Sequence, residues 1–330
     1  MRLLKRVLGQ KDRTCYLSPN YTNYSLMYYL NFFLLLTVLL FAACLDPQQS
    51  NESETATTEQ SQAAKTDSAF GGLALYTLRD TLAQDPKGVL QAVADMGYRY
   101  IEAAGYADGK FYGMEPQAFK AYLDQIGLIP MSSHHGDVTL GNADEMIAAA
   151  KAAGFTYFVI PIPPMGHFHY DAATQTMGMS NEVEEVMDII NTIAAKCHAA
   201  GIQCLYHNHN FEFNVNEAGI VPMHYFIEES NPEHLSFQMD LYWVTQAGAD
   251  PLDYFAKAPG RFVSWHVKDM DDQGRFAPVG TGHIDFGRIL EQAEQAGLKH
   301  YFVEQDMTFN HPPLEAIAIS HEALEEIGFE

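Results

Sequence analysis

Histidines and acids recur where short apolar runs of this sequence end. Glu102 closes YRYIE, Ser133-His134-His135 follows LIPMS, and Tyr206-His207-Asn208-His209-Asn210-Phe211-Glu212 follows IQCL. Asp240 falls in FQMDLYWV, His266-Val267-Lys268-Asp269 follows FVSW, and Glu304 falls in YFVEQDM. Residues two apart on a strand project from the same face, so His207 pairs with His209 and His266 with Lys268. Two imidazoles and two carboxylates meeting in one place make a mixed nitrogen and oxygen site. Such a donor set suits Mn²⁺, Co²⁺, Zn²⁺, Fe²⁺ or Mg²⁺, and no cysteine stands near to favour a thiolate-bound metal. The core of the expected site is Asp240, His266 and Glu304, on three consecutive runs.

These side chains converge only if the runs are strands of one sheet. Strands are expected at Leu73–Thr77, Tyr100–Ala103, Leu128–Ser132, Tyr157–Ile160, Ile202–His207, Leu235–Met239, Phe262–His266 and Tyr301–Glu304. Amphipathic stretches between them predict helices at Pro86–Met96, Pro116–Ile126, Ala143–Ala153, Glu182–Ala200, Phe286–Ala296 and Pro313–Ile327. Gly97, Gly127, Gly154, Gly201 and Gly297 each fall between a helix and the next strand, where a left-handed cap belongs. Eight strand–helix units within residues 70–330 predict a single-domain (β/α)8 TIM barrel, whose chemistry sits at the C-terminal ends of its strands. A doubly wound sheet would carry a Gly-rich turn after its first strand, and LALYTLRDT has none.

The motifs LALYTLRD, YHNHNFEF, QMDLYWVTQAGADP, GRFVSWHVKD, PVGTGHIDF and VEQD together resemble the xylose isomerase-like barrels known as sugar phosphate isomerase/epimerase proteins. The resemblance spans residues 71–330. It implies one divalent ion held at the ends of strands five to eight, commonly by Glu, Asp, His and Glu. Asp240, His266 and Glu304 match the last three. His207 stands where relatives carry glutamate, with His209 and Glu212 as alternative donors.

The resemblance also implies an enzyme that moves a proton next to a carbonyl, with the ion as Lewis acid. Isomerisation or epimerisation of a sugar is the leading expectation. A lyase or dehydratase splitting keto-sugars or keto-glycosides by β-elimination is the alternative. Glu212 and His209 are the expected base and acid. Lys268 is expected either to stabilise oxyanion charge or to pair with Asp269 at the surface. Glu102 and His135 are expected sugar contacts, with Tyr242 and Trp243 as an apolar wall. No phosphate loop is evident, so a non-phosphorylated sugar or glycoside is the expected substrate. A non-catalytic sugar-binding lipoprotein is the competing class.

The N-terminus points to export. Tyr28–Ala43 is an apolar run preceded by basic residues, and it ends at Phe41-Ala42-Ala43-Cys44, similar to a bacterial lipobox. Residues 1–44 therefore read as a lipoprotein signal peptide with Cys44 as the lipidated residue, and 45–69 as a flexible, polar tether. The expected location is the bacterial cell envelope, with the lipid anchor as the only membrane attachment. Beyond the signal region the chain carries 14 basic against 41 acidic residues, which opposes binding to a nucleic-acid backbone and disfavours an endonuclease. Cys197 and Cys204 lack CxxC spacing and read as small hydrophobes. The long segment Pro161–Ser180 is expected to form a lid or a contact in a homo-oligomer.

Overall fold

In the computed structural model, residues 69–174 and 176–330 are described. The apolar run, Cys44 and most of the tether lie outside the described residues. Eight parallel strands close into a barrel: β1 Phe70–Ala74, β2 Tyr98–Ala103, β3 Ile129–His134, β4 Tyr157–Ile160, β5 Gln203–His207, β6 Leu235–Asp240, β7 Ser264–Val267 and β8 His300–Val303. Each strand pairs with its sequence neighbours, and β1 pairs with β8 to complete the ring.

Helices α1 Pro86–Asp95, α2 Pro116–Ile126, α3 Ala143–Ala152, α4 Val183–Ala200 and α5 Pro222–Glu229 follow in turn. After them come α6 Leu241–Gln246, α7 Pro251–Lys257, α8 Phe286–Leu290, α9 Ala293–Ala296 and α10 Pro313–Ile327. The apolar stripe of α4 (Val186, Ile190, Ile193, Cys197) is buried against the barrel, with Cys204 of β5 in the same core. Gly201 ends α4 in the left-handed region at φ 71°. At Gly297 a side chain is also excluded by space, since a Cβ there would come 2.7 Å from Gly260 Cα.

Several boundaries differ from the sequence expectation, each for a physical reason. Strand β1 ends at Ala74, and Leu75–Leu78 form a 3₁₀ turn whose Leu75, Thr77 and Leu78 are buried. A buried turn and a buried strand are equally apolar, so hydrophobicity alone does not separate them. The Thr77 hydroxyl accepts from Gln305 N at 2.9 Å, tying this turn to the loop after β8. The helix expected over Phe286–Ala296 is divided into α8 and α9 at Glu291-Gln292.

The most consequential departure is a bulge in β3. Ile101 pairs with Pro130 but Glu102 pairs with Ser132, so Met131 is an extra residue in the ladder. Met131 packs inside the barrel against Tyr157, Val159 and Leu205. One inserted residue exchanges the two faces of the strand beyond it. Ser132 and His134 therefore turn inward, while His135 turns towards the helices and stacks on Phe158, with ring centroids 4.1 Å apart.

The segment after β4 forms an antiparallel hairpin, Phe168–Asp171 with Thr176–Met179. Its Phe168 ring lies 6.0 Å from Phe211 in the loop after β5. The loop after β7 is organised by Asp269, whose Oδ2 accepts from Gly280 N (3.0 Å) and Gly282 N (2.9 Å). Its Oδ1 accepts from Met270 N (2.8 Å) and Ile284 N (3.0 Å). Asp269 is thus a loop organiser and not the surface partner of Lys268. Replacing Asp269 with alanine orphans four backbone donors, that of Met270 buried and the other three part-buried. It should cost about 2–4 kcal/mol of stability, read as a lowered denaturant midpoint with an unchanged slope.

Candidate functional site

The barrel interior changes character along its axis. Tyr100 and Phe302 pack below with Met131, and Tyr157 and Leu205 close the same apolar layer. One step further along the strands the lining becomes Glu102, Ser132, Gln238, Ser264 and His266, all buried. Above these stand His207, Asp240, Lys268 and Glu304.

Asp240 is held in two ways by the local chain. It is the N-cap of α6, its Oδ1 accepting from Trp243 N at 2.9 Å. Its backbone N donates to Asn208 Oδ1 at 3.0 Å, so Asn208 continues the β5–β6 ladder beyond the strand end. Capping uses one carboxylate oxygen and leaves Oδ2 buried, without an aligned hydrogen-bond partner. Around that oxygen stand His207 Nε2 at 3.9 Å, His266 Nδ1 at 3.7 Å and Lys268 Nζ at 2.9 Å. Glu304 Oε2 lies 2.9 Å from His266 Nδ1. Asp240, His266 and Glu304 form one group with ligand atoms close enough for a single ion. His134, His207 and His266 form a second such group, sharing His266.

Lys268 is fully buried among carboxylates. Its ammonium donates to Glu304 Oε2 and Asp306 Oδ2, both at 2.6 Å, and pairs with Asp240. Burial disfavours the lysine charge, yet Asp240, Asp306 and Glu304 outweigh it and raise the lysine pKa. His266 sits between Glu304 and Glu102, which overcome its burial and lift its pKa to about 10. Burial also raises Asp240, to about 6, with Lys268 and His266 pulling the other way. His207 is pushed down by burial and by His266, so it stays neutral.

The structure brings His207, Asp240, His266, Glu304 and Lys268 together. His209 stands beside them as a neutral imidazole, lowered to about 3 by burial first and Lys268 next. Its ring lies 5.6 Å from Trp243, and His209 Nδ1 and Trp243 Nε1 are both buried without partners. The Trp243 ring also lies 5.5 Å from the Lys268 ammonium.

Other expected residues are placed differently. The Glu212 carboxylate faces the helix layer, accepting from Tyr206 OH (2.7 Å) and His209 N (2.9 Å), and does not reach the cluster. Tyr206 alternates with the inward His207, which explains why its partner lies outside the barrel wall. Glu102 lies below His207, Asp240, Lys268 and Glu304 and takes hydrogen bonds from Ser132 and Gln238, with His266 at 2.6 Å. It is engaged by protein groups and not open as a sugar contact. Tyr242 donates to Gly274 O at 2.7 Å and packs on Phe276, forming a wall whose hydroxyl is already satisfied. His135 is removed from the mouth by the bulge.

Sequence reasoning placed His134 at a strand end but gave the role to His135, and it missed Gln238 and Asp306. Asp306 lies two residues beyond Glu304, a same-face spacing that could have marked it. Gln238 likewise lies two before Asp240.

The polar, acid-rich interior lies at the C-terminal strand ends of the barrel, where TIM-barrel enzymes carry their active sites. The chain belongs to the xylose isomerase-like TIM barrel family, whose model matches residues 90–327. A solved sugar phosphate isomerase/epimerase from Parabacteroides distasonis ATCC 8503 is 26% identical, with a TM-score of 0.67 over 78% of this chain and 98% of that one. An IolI protein solved with a bound zinc atom is 13% identical, at a TM-score of 0.59 over 78% and 97%. The D-allulose 3-epimerase of Methylomonas sp. is 15% identical, at 0.58 over 78% and 97%. No curated protein sequence matches the chain.

Burial raises the Glu212 carboxyl from 4.5 to about 7, against the hydrogen bonds from Tyr206 and His209. A carboxyl raised on folding stabilises the fold below its unfolded pKa and loses that contribution as pH climbs through the folded value. The stability advantage of Glu212→Gln over wild type should therefore grow from pH 5 to pH 8, measured by urea unfolding. A difference that stays flat across that range would mean Glu212 does not titrate there.

Proposed function

We propose that this protein is a divalent-metal-dependent sugar isomerase or epimerase. On this reading His207, Asp240, His266 and Glu304 hold the ion, and the substrate is a non-phosphorylated sugar. The observation that carries it is the buried group of Asp240, His266 and Glu304, whose ligand atoms lie close enough for one ion, with His207 Nε2 3.9 Å from Asp240 Oδ2. Buried acids are costly without compensating charge; Lys268 and His266 supply part of it, and a divalent ion taking the place of the proton on His266 Nδ1 would supply the rest. Glu102, hydrogen-bonded to the far nitrogen of His266, matches the carboxylate–histidine–metal arrangement. The IolI protein carries zinc on the same fold. Bound there, a divalent ion supplies Lewis-acid polarisation of a carbonyl and its neighbouring hydroxyl.

The chain's own groups do the rest. His209 Nδ1, buried without a partner beside the cluster, is the group placed to accept the proton from the carbon beside the carbonyl, a role that requires the substrate-bound site to raise its basicity from the low value of the free protein. Trp243 Nε1 donates to a sugar hydroxyl, and the indole face excludes water. Lys268 holds Glu304 and Asp240 in place and offers positive charge to a developing oxyanion. A phosphate would meet Asp240, Glu304 and Asp306 around that same lysine, which favours an uncharged sugar.

The test begins with metal content. The purified protein should carry or take up one equivalent of a divalent transition metal, and both His266→Ala and His207→Ala should bind it more weakly and lose it on dialysis. Metal retained in His207→Ala would move the strand-five role to another donor, and a wild type that cannot be loaded would favour a sugar-binding protein. Loaded enzyme incubated with free ketohexoses in D₂O should exchange the hydrogen next to the carbonyl. Release of an aglycone from a keto-glycoside without such a product would mark the lyase reading. His209→Gln should lower kcat by about 10²–10⁴-fold while leaving bound metal unchanged.

We further propose that residues 1–44 export the chain and that Cys44 anchors it in the bacterial envelope. Radiolabelled palmitate should enter the wild type and not Cys44→Ala. Labelling of both would place the acyl group elsewhere.

A further inference from the structure

A histidine ligates a metal only through a nitrogen that carries no proton, and the hydrogen bond at its other nitrogen decides which one that is. For His207, that bond goes to Gln238. Gln238 is fully buried on β6, in register with His207 on one side and Ser264 on the other. Its Nε2 donates to Glu102 Oε2 at 2.7 Å and to Ser264 Oγ at 3.1 Å. A carboxylate only accepts, so the amide nitrogen must face Glu102, and the amide oxygen must face the histidines. That oxygen lies 3.0 Å from His207 Nδ1 and 2.9 Å from His134 Nε2. An amide oxygen cannot donate, so His207 carries its proton on Nδ1. The lone pair is left on Nε2, the nitrogen that stands 3.9 Å from Asp240 Oδ2.

We infer that Gln238 is the positioning residue that makes His207 a metal ligand, by fixing both its tautomer and its ring orientation. A glutamate ligand in the same place would need no such partner, because a carboxylate offers lone pairs from either oxygen. A histidine does need one. With an apolar side chain at 238, His207 is free to protonate Nε2 instead, which directs an N–H at Asp240 Oδ2 where a cation should sit. Ser132 Oγ also donates to Glu102 Oε2, at 2.6 Å, and Ser264 sits at the other side of the amide. The amide therefore cannot flip without facing its oxygen to a carboxylate.

The inference rests on the metal-centre reading above, and the test separates the two. Full-length protein, metal-free, is titrated with Co²⁺ and followed by visible absorption. Gln238→Met, similar in length and lacking the amide acceptor, should bind Co²⁺ about 10–100-fold more weakly with an altered spectrum. The decisive arm is the double variant. If Gln238 acts through His207, adding Gln238→Met to His207→Ala should cost no further affinity. Equal Co²⁺ affinity in wild type and Gln238→Met, or additive losses in the double variant, would overturn the inference and leave the metal centre standing. A wild type that binds no Co²⁺ would overturn the metal centre and this inference with it. If Gln238→Met fails to fold, the His207 tautomer in metal-free wild type decides, read from long-range ¹H–¹⁵N correlations of labelled histidine. A proton on Nδ1 supports the role of Gln238, and a proton on Nε2 refutes it.

Discussion

Carboxylates packed into one end of a barrel must be neutralised where they stand, and this requirement governs the interior. Glu102, Asp240 and Glu304 are buried, with Asp306 at their edge. An unpaired buried charge costs several kcal/mol even after relaxation. Lys268 answers three of these acids and His266 answers two, so the cationic groups lie between anions and not at the surface. The remaining lone pairs and protons are met by Ser132, Gln238 and Ser264, which explains a polar layer in what is elsewhere an apolar tube.

The same economy appears in how single side chains are used. Asp240 caps α6 with one oxygen and presents the other to the mouth. Glu212 lies outside the barrel wall but grips the backbone of His209. Asp269 gathers the backbone of the loop after β7 and brings Ile284 against the wall of Tyr242, Met270 and Phe276. Acids of one type thus serve as helix cap and proposed ligand, clamp or loop organiser according to which face of the strand or loop they occupy. Family membership accounts for the shared barrel, while the histidine at strand five and its glutamine partner belong to the particular chemistry proposed for this chain.

Local sequence determined a good deal. Eight apolar runs separated by amphipathic stretches and glycine caps specify the barrel, because helix and strand periodicities and the left-handed cap are short-range properties. The same-face spacing within the runs placed Asp240, His266, Lys268 and Glu304 at one end of it. What tertiary structure alone decided concerns partners and faces. The extra residue at Met131 exchanged His135 for His134, and nothing in the alternation of LIPMSSHH marks where a ladder will slip. Glu212 lies five residues beyond the strand end at His207, where a loop can aim a side chain either way, and Tyr206 draws it outwards. Lys268 found Asp240, Glu304 and Asp306 in place of its neighbour Asp269, because Coulomb partners are chosen by distance through space across β6, β7 and the loop after β8. Sequence periodicity sets which side of a strand a residue takes. Only closure of the ring sets which other residues are there to meet it.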